Sequence, residues 1–495
     1  MWRVALSGLR LICGYGVDHD MERVELTICG ACADRIYNNI RKVVKNISIQ
    51  VIDAPCGSGK TSWAIQYMNE NTEKSFIYCT PFLDEIDRVR KACGAYSRFV
   101  EPLPYTGSKI DNFNELLADG KDIAVTHTTF LNATQETLDL IRTCDYTIVI
   151  DEALDVVTDF NKVQTVESAT RQTVTKGDIA FLLERGIIEI ADNNRVVWCG
   201  GEYGDDFKFS EVQRFANLKR LYCISEKLLL AVFPPEMFKC FDTVYIMTYM
   251  FGGSIFKYYL DMFGLSYEPK SVKQKDSGYY LSDYDAAIDT AFRHKCKSLI
   301  HICDNEKLNG YKINALSKTW YENSRNDDRL KVLKNNLTYY FRRYVNAKAS
   351  NGDIMWTCYG DYENKVKGSG YTMVRSMTED EKRLPVSERE ELEKQLSCFV
   401  PCNAKATNIY RERWALAYCV NMFFNPMIRR FFTDGNDGRE NNGVPGIYPD
   451  EELYALSCLI QWIFRSRIRN GEKIEVYIPN KRMRGLLTDW FDCRI

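Results

Sequence analysis

The sequence predicts an α/β protein built on parallel sheets, and three observations carry that prediction. Apolar runs of strand length, such as SFIYCT and YTIVIDEAL, are continuous rather than alternating, the pattern of strands buried on both faces. Between residues 48 and 260 such runs alternate with helix-like stretches, as successive strand–helix units do. In VIDAPCGSGKTSWAIQYM (51–68) a glycine-bearing turn joins the first strand to a helix that opens on Lys-Thr.

Composition sets the limits. The 495 residues are 45% hydrophobic, and a chain of this length holds roughly two to four domains. A net charge of −2 announces no global polybasic character, so any nucleic acid must be held by a local groove. No apolar run reaches the roughly 18 residues of a membrane span. The start, MWRVALSGLRLICGYG, lacks the apolar stretch and small-residue cleavage pattern of a secretory signal. The 18 cysteines are scattered, many inside strand-like runs such as FIYCT and LIHICD. That usage predicts a reduced, cytoplasmic protein without membrane association.

The turn is the strongest single signal. Ala54, Pro55, Cys56, Gly57, Ser58, Gly59, Lys60 and Thr61 fit the Walker A pattern, with Ala54 where the general form has Gly. Small residues let backbone N–H groups close around phosphate oxygens, Lys60 would reach the β/γ-phosphates, and Thr61 would hold Mg²⁺. The following helix adds its positive end. A second site appears in YTIVIDEAL (146–154), an apolar run ending in two carboxylates. In open α/β sheets ligands bind beyond the carboxyl ends of strands, where Asp151 and Glu152 fall. Asp151 would orient Mg²⁺, and Glu152 would polarise an attacking water.

AxxGxGKT followed by DExx resembles the helicases of superfamily 2, the DEAD-like group of P-loop NTPases. The later wording, VYIMTYMFGGS and QWIFRSRIRNGEKIEVYIPNKRMRGLL, is most similar to the DEAD-like helicases of tailed-phage genomes. The resemblance covers most of residues 48 to 490. It implies two tandem RecA-like lobes that close on ATP and Mg²⁺ and grip a nucleic-acid strand. It also implies residue roles. IYCTPFLDEIDRV (77–89) and IAVTHTTFLNA (123–133) resemble the nucleic-acid-contacting motifs, at Thr80, Pro81, Thr126 and Thr128. VYIMTYMFGGS (244–254) stands in the place of the coupling motif, with Thr248 in that role; the literal Ser168-Ala169-Thr170 follows no apolar strand and is set aside. CNAKATNIYRER (402–413) resembles motif five, with strand contacts at Ala406, Thr407 and Asn408. LIQWIFRSRIR (459–469) resembles motif six, where Gln461 and arginines face the nucleotide. The acid motif departs from the family wording in reading DEAL, and motif six has Phe464 where Gly is usual.

In a continuous helix Gln461, Arg465 and Arg469, four apart, share one face, while Arg467 points elsewhere. That face would meet the γ-phosphate, where arginine stabilises the charge that develops in phosphoryl transfer. Residues 461–495 carry eight Lys/Arg against four Asp/Glu, a net +4 that favours a local nucleic-acid groove.

The predicted organisation is a small cysteine-containing subdomain (1–45), an ATP-binding lobe (46–265), a polar hinge (266–285) and a second lobe (286–495). In the second lobe strands are expected at 298–304, 354–359 and 474–478, a surface helix within 378–396, a mobile loop at 434–446 and a closing helix at 481–491. The subdomain carries Cys13, His19, Cys29 and Cys32. It resembles a treble-clef zinc finger with Gly16 in place of one cysteine, so those four side chains would hold Zn²⁺. A metal-free cap is the alternative.

The function expected is an ATP hydrolase, a helicase or translocase acting on nucleic acid through single-strand contacts. DNA is favoured over RNA by the phage-type wording alone. Two other readings use the same residues: a DNA-packaging ATPase, and an ATP-gated binding protein that regulates without unwinding.

Overall fold

The computed structural model describes residues 47–495 apart from 95, 105–106, 164–172, 203, 205–206, 277 and 404–408. The chain divides into two compact units, Met1–Asn46 and Ile47–Ile495. The expected 1–45 subdomain and its Cys13, His19, Cys29 and Cys32 lie outside the described residues, as do Ser168, Ala169 and Thr170.

The first half is built on β1 (Ser48–Asp53), β2 (Ser75–Thr80), β3 (Phe99–Val100), β4 (Asp122–Thr126) and β5 (Tyr146–Asp151). A module follows, made of β6 (Val157–Asp159), β7 (Ile188–Ile190), β8 (Val196–Trp198), β9 (Leu221–Ile224) and β10 (Leu228–Val232). The chain then returns as β11 (Thr243–Thr248), β12 (Glu268–Lys275) and β13 (Gly278–Asp283). Among the described residues the main sheet runs β13-β12-β1-β11-β5-β2-β4-β3 and is parallel except for the edge strand β13.

The apolar runs are continuous because each strand buries both faces. Val51 of β1, Ile77 of β2, Ile148 of β5 and Ile246 of β11 face one core; Ile52, Tyr78, Val149 and Met247 face the other. The module fills the chain between β5 and β11. It forms two small antiparallel sheets, β6-β10-β9 and β7-β8, over its own core of Phe160, Leu182, Val212 and Phe215.

The second sheet is wholly parallel, in the order β14 (Ile300–Ile302), β17 (Ile474–Tyr477), β16 (Ala415–Tyr418), β15 (Ile354–Thr357). Leu416, Tyr418 and Val476 face one side, and Ala415, Ala417 and Tyr477 the other. The closing helix is Lys481–Phe491, and the surface helix is Val386–Leu396. No helix among the described residues is long and apolar enough to cross a membrane.

Two expectations about connecting segments are corrected. Residues 266–285 form no loose polar linker: β12 pairs with β1 and β13 folds back on β12, so the segment extends the first sheet. β12, second from the edge, buries only Ser271 and Val272 and leaves both its ends exposed, which is why its composition is polar. Residues 434–446 are not the irregular loop expected there either. They contain the helix Asn436–Asn441, and the Asn436 side chain bonds both the N–H and the carbonyl of Ile447, at 2.8 and 2.9 Å. This stretch closes an arm from the second half whose Phe424, Ile428, Phe431, Phe432 and Ile447 are buried in the core of the first sheet. There Tyr222 meets Phe431 at 5.3 Å, and Tyr258 meets Phe432 at 6.0 Å.

Candidate nucleotide cleft

β1 ends on Asp53 and delivers the turn Ala54–Gly59 to the helix Lys60–Glu70. Gly57 (φ 79°) and Gly59 (φ 94°) take left-handed conformations that side chains disfavour. Gly59 also has no room for a Cβ, which would lie 2.3 Å from the Tyr279 ring. Ala54 is buried and its N–H donates to the Thr248 carbonyl at 3.1 Å, so the loop is rooted on the neighbouring strand. The Lys60 ammonium donates to the carbonyls of Ala54 (2.6 Å) and Pro55 (3.1 Å), folded onto its own loop. The Ser58 hydroxyl is buried in the loop without a protein partner.

β5 lies one strand beyond β11 and carries Asp151 and Glu152 to the same edge. Asp151 accepts a hydrogen bond from Tyr78 Oη at 3.0 Å, and its carbonyl accepts one from His127 Nε2 at 2.9 Å. Burial raises its carboxyl to about 7, and the charges of Glu152 and Glu85 push the same way. Glu152 has φ 66°, a left-handed backbone in a non-glycine residue, held by its N–H on the Met247 carbonyl at 2.8 Å. Such strain is kept where surrounding structure imposes it. The Thr80 and Thr248 hydroxyls, at the ends of β2 and β11, are buried without protein partners.

The second sheet faces this edge with arginines. Arg465 is 5% exposed; burial lowers its pKa to about 10, against the favourable pull of Tyr418 and Glu152. Arg469 is exposed and lines, with Pro55, Cys56, Gly57 and Ser58, a cavity of about 290 Å³ between the two halves. The single helix face expected for Gln461, Arg465 and Arg469 does not form. The helix Glu451–Ile463 stops at Phe464, Ser466 is extended, and Arg467–Asn470 is a separate 3-10 turn. Arg465 and Arg469 reach the cleft from different elements, Gln461 is exposed on the helix, and Arg467 pairs with Glu472 at 2.9 Å.

The expected strand contacts fare unevenly. Thr80 is fully buried and offers no surface to a strand, while Pro81 beside it is half-buried. Thr126 caps the helix His127–Leu131, accepting from the Thr129 N–H at 3.3 Å, and Thr128 is exposed. Ala406, Thr407 and Asn408 lie outside the described residues. Among the described residues no group of three or more His, Cys, Asp or Glu side chains is arranged to hold a metal ion.

Several residues of the site escape sequence reasoning. Tyr78 and Asp151 share a sheet face because Tyr78 pairs with Val149, two residues before Asp151. That signal exists only once strand register is known. Glu85, paired with Arg88 at 2.8 Å, is raised by burial and lies close enough to Asp151 and Arg469 for their charges to matter.

Residues 294–491 match the family model of the YonV C-terminal Rossmann-like domain. The SPbeta prophage-derived uncharacterized protein YonV of Bacillus subtilis (strain 168) is 33% identical over 461 residues, covering 90% of this chain and 98% of that protein. Among solved structures, an XPD helicase is 12% identical with a TM-score of 0.44, covering 93% of this chain and 98% of that one. Xpd4 of S. tokodaii is 14% identical with a TM-score of 0.45, covering 92% and 96%. Scores below 0.5 leave the fold assignment to the sheets themselves.

Proposed function

The chain belongs to the YonV family, and we propose that it is an ATP hydrolase of helicase type that moves along or unwinds nucleic acid. The observation that carries the reading is the meeting of three groups in one cleft. The phosphate loop and the Asp151–Glu152 pair end parallel strands separated only by β11, Arg469 lines the cavity beside the phosphate loop, and Arg465 lies close enough to Glu152 for their charges to interact.

In this reading Lys60 leaves the carbonyls of Ala54 and Pro55 for the β/γ-phosphates of ATP. Backbone N–H groups of Gly57, Gly59 and the first helical turn cradle the remaining oxygens. Thr61 and Asp151 suit a magnesium ion bound with the nucleotide. Asp151 is a buried carboxylate at a strand end, and the Ser58 hydroxyl, buried without a protein partner, lies in the turn just before Lys60 and Thr61. That ion supplies neutralisation of phosphate charge. Glu152 takes a proton from the attacking water, and Arg465 and Arg469 stabilise the charge that develops on the transferred group.

Strand contact is assigned to Pro81, Thr126, Thr128 and the 406–408 segment, with Thr248 coupling the two halves. Phosphate contacts of this kind position a strand without reading sequence. DNA is favoured over RNA because the Bacillus subtilis relative is prophage-derived. The nucleotide-gated binding protein stays as a second reading, favoured by the apolar arm that ties one half into the core of the other. Strand displacement on a labelled duplex, measured beside ATP hydrolysis, separates the two: hydrolysis without displacement favours the switch. The zinc set at Cys13, His19, Cys29 and Cys32 is proposed on spacing and resemblance alone. Elemental analysis tests it, and less than about half a zinc per chain, against a full four-ligand site, removes it.

A further inference from the structure

The segment Met247–Ser254 belongs to both halves of the molecule. Met247, next to the end of β11, is buried in the core of the first sheet, whereas Tyr249 and Met250 are buried in the core of the second. The Tyr249 ring meets Phe292 edge-on at 5.7 Å, and its hydroxyl donates to Asp289 Oδ1 at 2.6 Å. Arg293, one turn further along the helix Ala286–Leu299, donates to Asp289 Oδ2 at 2.7 Å. Asp289 is thus held between a residue of the first half and one of the second.

On the other side the same segment is tied to the phosphate loop. Asp53, the residue before Ala54, is half-buried; its two carboxylate oxygens accept from the N–H groups of Met250 (2.8 Å) and Phe251 (3.1 Å). Among the described residues no cation pairs with it in a salt bridge; the two N–H groups and the nearby charge of Lys60 favour its carboxylate. They hold Met250 at φ 59°, a left-handed backbone that a methionine adopts only under constraint. The turn then brings Gly253 against the helix Glu451–Ile463. A Cβ on Gly253 would stand 2.6 Å from the Leu453 carbonyl oxygen, so this contact is backbone on backbone.

A continuous path therefore runs from the root of the phosphate loop to the second half: Asp53, the Met250–Phe251 amides, Tyr249, Asp289, Arg293. Its ends are charge-assisted hydrogen bonds, shorter and stronger than neutral ones. We propose that Tyr249 and Asp289 form a latch by which a nucleotide in the phosphate loop sets the position of the second half, with Asp53 as its anchor on the first. Both are positioning residues, and neither touches the nucleotide. The latch rests on the ATPase reading of the cleft.

The test uses the full chain with Tyr249→Phe, which keeps the ring and its packing, and Asp289→Asn, with Asp289→Glu as the conservative rescue. A fluorescent donor and acceptor at the exposed Lys121 and Lys331 report the separation of the halves when a non-hydrolysable ATP analogue is added. The expected result is analogue affinity like the parent's, loss of at least half of the closure signal, and nucleic-acid-stimulated turnover reduced about tenfold, the scale of one charge-assisted hydrogen bond. Asp289→Glu should recover part of both. Variants that bind, close and turn over like the parent overturn the latch and leave the ATPase reading standing. A parent that binds the analogue without closing does the same. A parent that binds no analogue overturns the ATPase reading and the latch with it.

Discussion

Lys60 bonds two carbonyls of its own loop, so a phosphate has to take the ammonium from Ala54 and Pro55 before it is held. Lys60→Ala should weaken ATP binding by about tenfold or more, as loss of a charged hydrogen bond does, measured by calorimetry. Glu152→Gln keeps the shape of the side chain but cannot take a proton. It should leave binding intact and lower turnover by about 10² to 10⁴-fold; turnover at the parent rate would show that Glu152 is not the base. Asp151 makes a pH prediction. Its carboxyl rises from 3.8 to about 7 on folding, so between those values the folded chain holds one more proton than the unfolded chain. Its contribution to stability therefore falls as pH rises from about 4 to about 7 and is level above. Binding of Mg²⁺-nucleotide should in turn release a proton near pH 7, seen as a dependence of binding heat on buffer ionisation; heats identical across buffers at pH 6.5 would contradict the assignment of Asp151. Lys60 is legible in sequence because its strand–turn–helix unit is local, and Asp151 and Glu152 because they end an unbroken apolar run. Tyr78, His127 and Asp53 are not, because their partners are set by strand pairing and by contacts tens to hundreds of residues away.

At the scale of elements, legibility follows the same division. Strands buried on both faces announce themselves as unbroken apolar runs, and β1, β2, β5 and β11 stand where those runs fall. The end of the helix at Ile463 carries no such mark. Neither Gly nor Pro follows until Gly471, so a 3.6-residue period extends smoothly past Phe464 and puts Arg465 and Arg469 on one face that the chain does not build. The proposed roles survive the correction because both arginines still meet the first half. Arg465→Ala and Arg469→Ala should each keep strand binding and lose the nucleic-acid-stimulated rate. A variant that retained that rate would remove its arginine from the mechanism. Composition misleads at 434–446, where glycine and asparagine suggest a loop but the Asn436 side chain staples Ile447 and the arm is anchored by large aromatics. Phe432 is 1% exposed there, and Phe432→Ala should lower the unfolding free energy by about 3–5 kcal/mol in urea titrations. A loss below about 1 kcal/mol, typical of surface positions, would show that the arm is not integral to the core.

Among the described residues the two parallel sheets meet at the cleft with its arginines, at the Met247–Ser254 turn and at the arm buried in the first core. A strand that touched both halves would favour the closed arrangement in which Arg465 and Arg469 meet a bound phosphate, and hydrolysis would relax it. The stimulation should fade with salt, because contacts to a phosphate backbone weaken by orders of magnitude between roughly 50 and 200 mM. A packaging motor would prefer duplex, and a nucleotide switch would ignore both forms. The most direct test of the central claim is the steady-state ATPase rate in low salt with single-stranded DNA, duplex DNA and RNA added separately. The rate should rise with single-stranded nucleic acid, and the rise should disappear in Glu152→Gln and decline with added salt. An ATPase rate that stayed flat across all three, or no ATPase at all, would contradict that claim.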